Sequence, residues 1–200
     1  MAISTFAELK TAAASWLHDS STTLAAIIPD FVALAEADIR KDVSCRAMES
    51  LATGTLTGET LAYPTRFLEA RRLTVNGDVY SFETPETYAY RVDSGSTARI
   101  FTVIGESIYI LGGTSGDTYT LLYRAAFAPL SAAGDTNWLL TNHPETYLRA
   151  TLKHGWAYLE NDPAAQREQA LYMAAVNRVN TEAARAAVFG PLSVRSSVAE

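Results

Sequence analysis

The chain has 200 residues, 48% of them apolar and 19% charged, with a net charge of -6. That apolar content excludes intrinsic disorder, no run reaches the roughly 20 apolar residues of a membrane span, and the acidic balance argues against wrapping of nucleic acid, which needs dense Lys and Arg, while leaving room for DNA contact in passing. One cysteine, Cys45, permits no internal disulfide, and residues 1–8 lack the charged-then-apolar plan of a secretory signal, so a cytosolic setting is expected.

Ser4 or Thr5 can cap a first helix whose apolar residues Phe6, Leu9, Ala13, Trp16 and Leu17 form one stripe that ends near His18. Asp19, Ser20 and Ser21 make a turn. Residues 22–28 suit a short helical turn that stops before Pro29, because the residue ahead of proline avoids the α region. Pro29 then opens a second helix, with Phe31, Leu34, Ala35, Ile39 and Val43 at helical spacing to about Ser44. This first part reads as a helical hairpin.

From 46 to 130 the composition turns to Thr, Val, Tyr, Phe and Gly in short runs, which is strand chemistry. Asn76-Gly77-Asp78 between residues 71–75 and 79–82 predicts a tight hairpin, since Asn-Gly accepts positive φ. Residues 100–103 and 108–111 form a second pair, and 119–124 a strand after the loop at 112–117. Short connections of this kind imply an antiparallel sheet, as a small sandwich or barrel. Thr84-Pro85-Glu86 opens a short helix to about Tyr90, placed against one side of that sheet.

Helical period returns after 132–137. Residues 144–160 put Tyr147, Leu148, Thr151, Leu152, Trp156 and Leu159 near one face, and Asn161-Asp162-Pro163 separates them from a longer alanine-rich helix to about Val188. Small residues such as Ala170, Ala174, Ala175 and Ala184 suit close packing against neighbours. Residues 192–200 hold too little apolar surface to fold without a partner. The expected fold is α+β: a mainly α-helical bundle (1–45 and 138–188), an inserted antiparallel β domain (46–137) and an extended C-terminal tail (189–200).

No catalytic constellation emerges. His18, His143 and His154 lie at no metal-ligand spacing, and His154 reads as a partly buried helix residue. Gly112-Gly113-Thr114-Ser115-Gly116-Asp117 lacks the lysine of a phosphate loop and leads into a strand, so it reads as a hairpin loop. Cys45 reads as a small core residue, Arg66, Arg71 and Arg72 as a solvated basic spot, and Trp16, Trp138, Trp156, Tyr147 and Tyr158 as bundle core and lid. Neither a cofactor nor a metal is expected.

Several strings, in order along the chain, resemble the adaptor or head-to-tail connector proteins of tailed bacteriophages. They are Trp16-Leu17-His18-Asp19, Ile28-Pro29-Asp30-Phe31 continuing to Arg40, Arg46-Ala47-Met48-Glu49, Tyr63-Pro64-Thr65-Arg66-Phe67, Asn137-Trp138-Leu139-Leu140 ahead of His143-Pro144-Glu145, and Ala157-Tyr158-Leu159-Glu160-Asn161-Asp162. The resemblance implies a structural virion protein of the neck, assembled in the host cytoplasm. It would form a homo-oligomeric ring of twelve copies between the portal protein and a tail or nozzle protein. Double-stranded DNA would pass through its channel without sequence-specific binding. It further implies that the C-terminal tail docks on the portal, with Phe189, Leu192 and Val194 as apolar anchors and Arg195 as an ion-pairing group. A second reading is a small-ligand-binding protein or enzyme that uses Arg66, Arg71 and His154 in a cleft between bundle and β domain; a third is a tail tube or fibre-associated component.

Overall fold

Thr5 and Glu8 set the start of the first helix. Thr5 Oγ1 accepts the Glu8 N–H at 3.3 Å while Glu8 Oε2 accepts the Thr5 and Ser4 N–H groups at 3.0 and 2.8 Å, a reciprocal cap at the head of α1 (Phe6–Trp16). The computed structural model describes residues 3–19 and 21–187, and within them an α+β fold. The chain divides into two units: one draws on both ends, up to residue 47 and from 129 onward, and the other comprises residues 48–128. The expected docking residues Phe189, Leu192, Val194 and Arg195 lie outside the described residues, as does the expected tail.

In the helical unit α1 buries Phe6, Leu9, Ala12 and Ala13, with Leu17 just beyond it. The second helix corrects the sequence expectation. A single helix, α2 (Thr22–Asp42), carries Pro29 inside it, where two helices were expected. Proline removes one backbone donor and crowds the preceding turn, at a cost of about 3 kcal/mol. The continuous apolar face Leu24, Ile28, Phe31, Val32, Ala35 and Ile39, every member buried, outweighs that cost.

The other helices of the unit follow residue 137. A short helix absent from the sequence reading, α4 (Trp138–Asn142), is capped by Asn137 and runs into α5 (Pro144–Tyr158), and α6 (Asp162–Ala187) returns along α5. The junction between α5 and α6 is a Schellman turn: Glu160 N–H reaches Ala157 O, Asn161 N–H reaches Trp156 O, and Glu160 sits at φ 55. Residues 129–137, expected in the β domain, hydrogen-bond to helices instead. Phe6 N–H donates to Asp135 O at 2.9 Å, Ala7 N–H to Ala133 O at 3.0 Å, and Leu130 N–H to Glu36 Oε1 at 2.8 Å.

The β unit begins with β1 (Glu49–Thr55) and β2 (Thr60–Ala62). There follow β3 (Phe67–Val75), β4 (Asp78–Phe82), α3 (Pro85–Asp93), β5 (Ile100–Ile104), β6 (Ser107–Leu111) and β7 (Thr118–Ala125). Asn76 at φ 51 and Gly77 at φ 87 form the two-residue turn between β3 and β4, both in the left-handed region that a type I′ hairpin requires. The strand order is β1-β7-β3-β4-β5-β6-β2.

Two features depart from the expected antiparallel sheet. β4 and β5 pair in parallel, Ser81 with Ile100 and Phe82 with Phe101, because α3 fills the crossover between them. The sheet is also curled into a half-barrel rather than paired as a sandwich. Its two edges, β1 and β2, are consecutive in sequence and joined by residues 56–59, which can span at most ~18 Å. Seven flat strands would hold the edges roughly 29 Å apart, so the sheet must bend. Register shifts in the β3–β7 ladder at Phe67/Glu69 and Ala70/Arg72 supply local bends. The concave side packs Leu56, Leu73, Val75, Tyr80, Phe101, Ile108, Ile110, Leu121 and Tyr123 into one core.

Candidate functional site

A set of polar contacts ties α2, α5 and α6 together in the helical unit. Asp38 Oδ2 of α2 accepts Lys153 Nζ at 2.6 Å and meets His154 Nε2 at 2.8 Å, both from α5. Lys153 Nζ also stands 4.5 Å over the ring of Tyr172 in α6, and the Tyr172 hydroxyl donates to Asp42 Oδ2 at 2.9 Å. Burial opposes the Asp38 charge, yet the hydrogen bonds and charges of Lys153 and His154 prevail and lower its pKa. Further along α5, Arg149 Nη1 binds the buried Glu168 at 2.9 Å, with its guanidinium 4.8 Å from the Trp16 ring.

A second buried cluster anchors the loop that leads into α4. Glu36 accepts from the Leu130 N–H and from the Tyr147 hydroxyl, and Asn137 Nδ2 donates to Tyr147 Oη at 2.7 Å. Desolvation raises the Glu36 pKa against the pull of these donors and of Arg40, and burial likewise raises that of Tyr147. Glu36, Tyr147 and Asn137 bind one another and fasten the loop to the bundle, whereas Asp38, Lys153 and His154 also line an open cavity of about 530 Å³ with Ala165, Gln166 and Gln169. Among the described residues no group of three His, Cys, Asp or Glu could hold a metal ion.

The aromatic residues divide in a way that periodicity did not reveal. Tyr147 is fully buried, as expected of core, whereas Trp16, Trp138 and Tyr158 are between 41% and 51% exposed. Leu17, not Trp16, fills the space beside α5: a Cβ added at Gly155 would come within 2.7 Å of Leu17. Between α1 and the first half of α2 runs a groove of about 760 Å³ lined by Ala7, Lys10, Ala14, His18, Ala25 and Ile28, among others. Among the described residues the alanines of α6 divide: Ala175 is buried, Ala164, Ala165 and Ala183 are partly buried, and Ala170, Ala174 and Ala184 are exposed, so the expected close packing at those last three is not seen there.

In the β unit the convex face is the accessible one. The paired rows place Leu51, Leu122 and Arg72 side by side, with Thr53, Thr120, Thr74 and Val79 in the next row. A shallow cavity of about 300 Å³ lies among Leu51, Arg72, Thr74, Thr120 and Leu122, and Leu51 is 64% exposed. Among the described residues no strand pairs with the outer edge of β1. Leu56 N–H donates to Asp117 O on the β7 side, so alternation along the ladder turns the main-chain groups of Ser50, Ala52 and Gly54 toward β7 and those of Leu51 and Thr53 away from it. The strand has neither proline nor lysine, and its seven residues pair with β7 without a register shift.

The polar residues considered for a ligand site have local roles. Arg71 pairs with Glu69 at 3.7 Å on an exposed stretch of β3, Arg66 stands at φ 60 where its carbonyl accepts the Ala126 N–H, and His154 is engaged by Asp38. The 112–117 segment is a loop closed on itself: Asp117 accepts from Thr114 and from Asn76 Nδ2. Cys45 is buried, as expected of a small core residue. The features missed by sequence reading, the open β1 edge and the Asp38 and Glu36 fastenings, depend on contacts remote in sequence; the only advance signal was the lack of charge and proline in residues 50–55.

A family model described as SU10 adaptor protein matches residues 4–195 of the chain. No curated protein matches it.

Proposed function

Since the chain belongs to the SU10 adaptor protein family, we propose that it acts as a structural adaptor in the neck of a phage particle, in a ring of about twelve copies that joins portal to tail. The observation that carries this reading is the family match across residues 4–195, which takes in both units rather than a fragment of one. The charge of the chain supports it. A protein of net charge -6 can surround passing DNA without gripping it, because its surface does not neutralise phosphates. The accessible surfaces fit an assembly role as well: half-exposed Trp16, Trp138 and Tyr158, the outward alanines of α6 and the Leu51 face are the kinds of surface that subunits cover in one another. The partners are then other copies of the chain, the portal protein and a tail or nozzle protein, assembled in the host cytoplasm, and the role is structural rather than catalytic.

Electron microscopy of the protein mixed with the portal protein tests this directly. The expected image is a ring stacked coaxially on the portal. A protein that remains monomeric beside the portal, with no co-sedimentation, would refute the connector role.

A further inference from the structure

We propose that the outer face of α3 in one copy docks in the Arg72 hollow on the convex sheet face of the next copy. The inference deepens the ring reading and rests on it. Helical spacing sets Glu86, Ala89, Tyr90 and Asp93 on one side of α3, all of them exposed, with Tyr90 at 70%. Tyr88, on the other side of the helix, is buried and meets the Tyr109 ring at 6.3 Å. Ile108 and Ile110 of β6 enter the core, so Tyr109 between them points to the convex side. It follows that α3 lies on that side, with Tyr90 directed away from the sheet. Among the described residues the side chains of Glu86, Tyr90 and Asp93 have no hydrogen-bond or ion-pair partner, so this face is uncommitted within its own chain.

The hollow has the matching chemistry. It holds about 300 Å³ among Leu51, Arg72, Thr74, Thr120 and Leu122. Glu69, the acid beside it, is shared by Arg71 at 3.7 Å and Arg124 at 3.9 Å, which leaves Arg72 without an ion pair among the described residues. Leucines and threonines around one uncommitted guanidinium suit an aromatic ring with a carboxylate one turn away, the combination that α3 presents. A phosphate would gain nothing from the leucines. The chain's own α3 cannot fill the hollow. β7, at its centre, and β5, beneath α3, are three strands apart, about 14 Å on a flat sheet, and the curl turns the two stretches of convex face away from each other. Helix face and hollow are thus different outward surfaces of one unit, so their meeting joins copies head to tail, the kind of contact that closes a ring.

Disulfide trapping in portal-bound rings tests the docking. Chains carrying Leu51→Cys are mixed with chains carrying Ala89→Cys, assembled on the portal, checked for rings by microscopy, oxidised and run on a denaturing gel. The expected result is a chain-to-chain dimer that requires both variants. Arg72→Glu in the Leu51→Cys chain should lower its yield roughly tenfold or more, because like charges then face one another, and Glu86→Arg with Asp93→Arg in the Ala89→Cys chain should restore it. Tyr90→Ser in the Ala89→Cys chain should lower the yield as well. All four side chains are exposed, so these variants should keep the thermal midpoint of the parent chain. Rings without the cross-link, or a bond from position 51 or 89 to the portal or within one chain, would overturn the docking and leave the connector role standing. A parent chain that forms no rings on the portal would overturn both.

Discussion

Tyr172 at the centre of α6 donates its phenolic proton to Asp42 in the last turn of α2, 2.9 Å away, and Asn180 one helical stretch later donates to the Asp42 carbonyl at 3.0 Å. The tyrosine is fully buried, which raises its pKa and keeps it a donor. Tyr172→Phe retains the ring under Lys153 and removes only the hydroxyl. A hydrogen bond to a charged acceptor contributes about 1.5–3 kcal/mol, so urea unfolding should show a loss in that range, with little change in slope.

Two carboxylates in the helical unit should shape its pH dependence with opposite signs. Asp38 has a folded pKa below its ordinary 3.8, so its contribution is complete above 3.8 and is lost as the pH falls through the lower folded value. Asp38→Asn should therefore weaken the protein at neutral pH and flatten the acid limb of a thermal melt series. Glu36 lies above its ordinary 4.5, and its contribution declines as the pH rises from 4.5 through the folded value. Glu36→Gln keeps an acceptor for the Leu130 N–H and should remove that decline, read as a smaller fall in melting temperature as the pH rises above 4.5.

The left-handed residue that ends α5 is a glutamate where glycine is the usual choice. Glu160 at φ 55 bears the Cβ strain of that conformation, about 1–2 kcal/mol. Glu160→Gly relieves it while keeping the Schellman bonds to Ala157 and Trp156. Because glycine also loses more freedom on folding, the expected net gain is about 0.5–1 kcal/mol, measurable as a rise in melting temperature.

Gly155, by contrast, is where added bulk should harm. Alanine favours a helix interior by about 1 kcal/mol over glycine, but the new methyl would lie 2.7 Å from the buried Leu17. Gly155→Ala should come out destabilised by about 1–2 kcal/mol, and Leu17→Val in the same chain should recover part of the loss. Additivity of the two single changes would show that they do not meet.

How legible the fold was depended on the range of the force involved. Asn76-Gly77, Thr84-Pro85 and the Thr5 cap act within a few residues, and each appears in the structure where its local chemistry placed it. Pro29 misled because its local cost is real, yet the buried face from Leu24 to Ile39 is set by α5, which follows a hundred positions later. Trp16 sits on the apolar stripe by spacing alone, and only the neighbouring helix decides that Leu17 enters the core while the indole meets Arg149. The parallel β4–β5 pair, the order that brings β1 to β7 and the fastening of residues 129–137 to α1 and α2 are all non-local, and periodicity carries no information about partners. The same holds for the surfaces: residues 49–55 fell within a stretch of strand composition but were not picked out as a strand, and which edge of β1 is left unpaired among the described residues is defined by the strand on its other side.

The helical unit is built from both ends of the chain, and this imposes a schedule on its making. As the polypeptide emerges from the ribosome, α1 and α2 appear first, with the faces that will meet α5 still uncovered. All of 48–128 must be synthesised before α5 exists, so the β unit can complete its ladders while the earlier helices wait. Its own last strand, β7, lies between β1 and β3 and closes that unit late. A ribosome pause or a cut within residues 129–137 would therefore release a finished sheet attached to an unpartnered helical pair, the form of this protein most open to premature association.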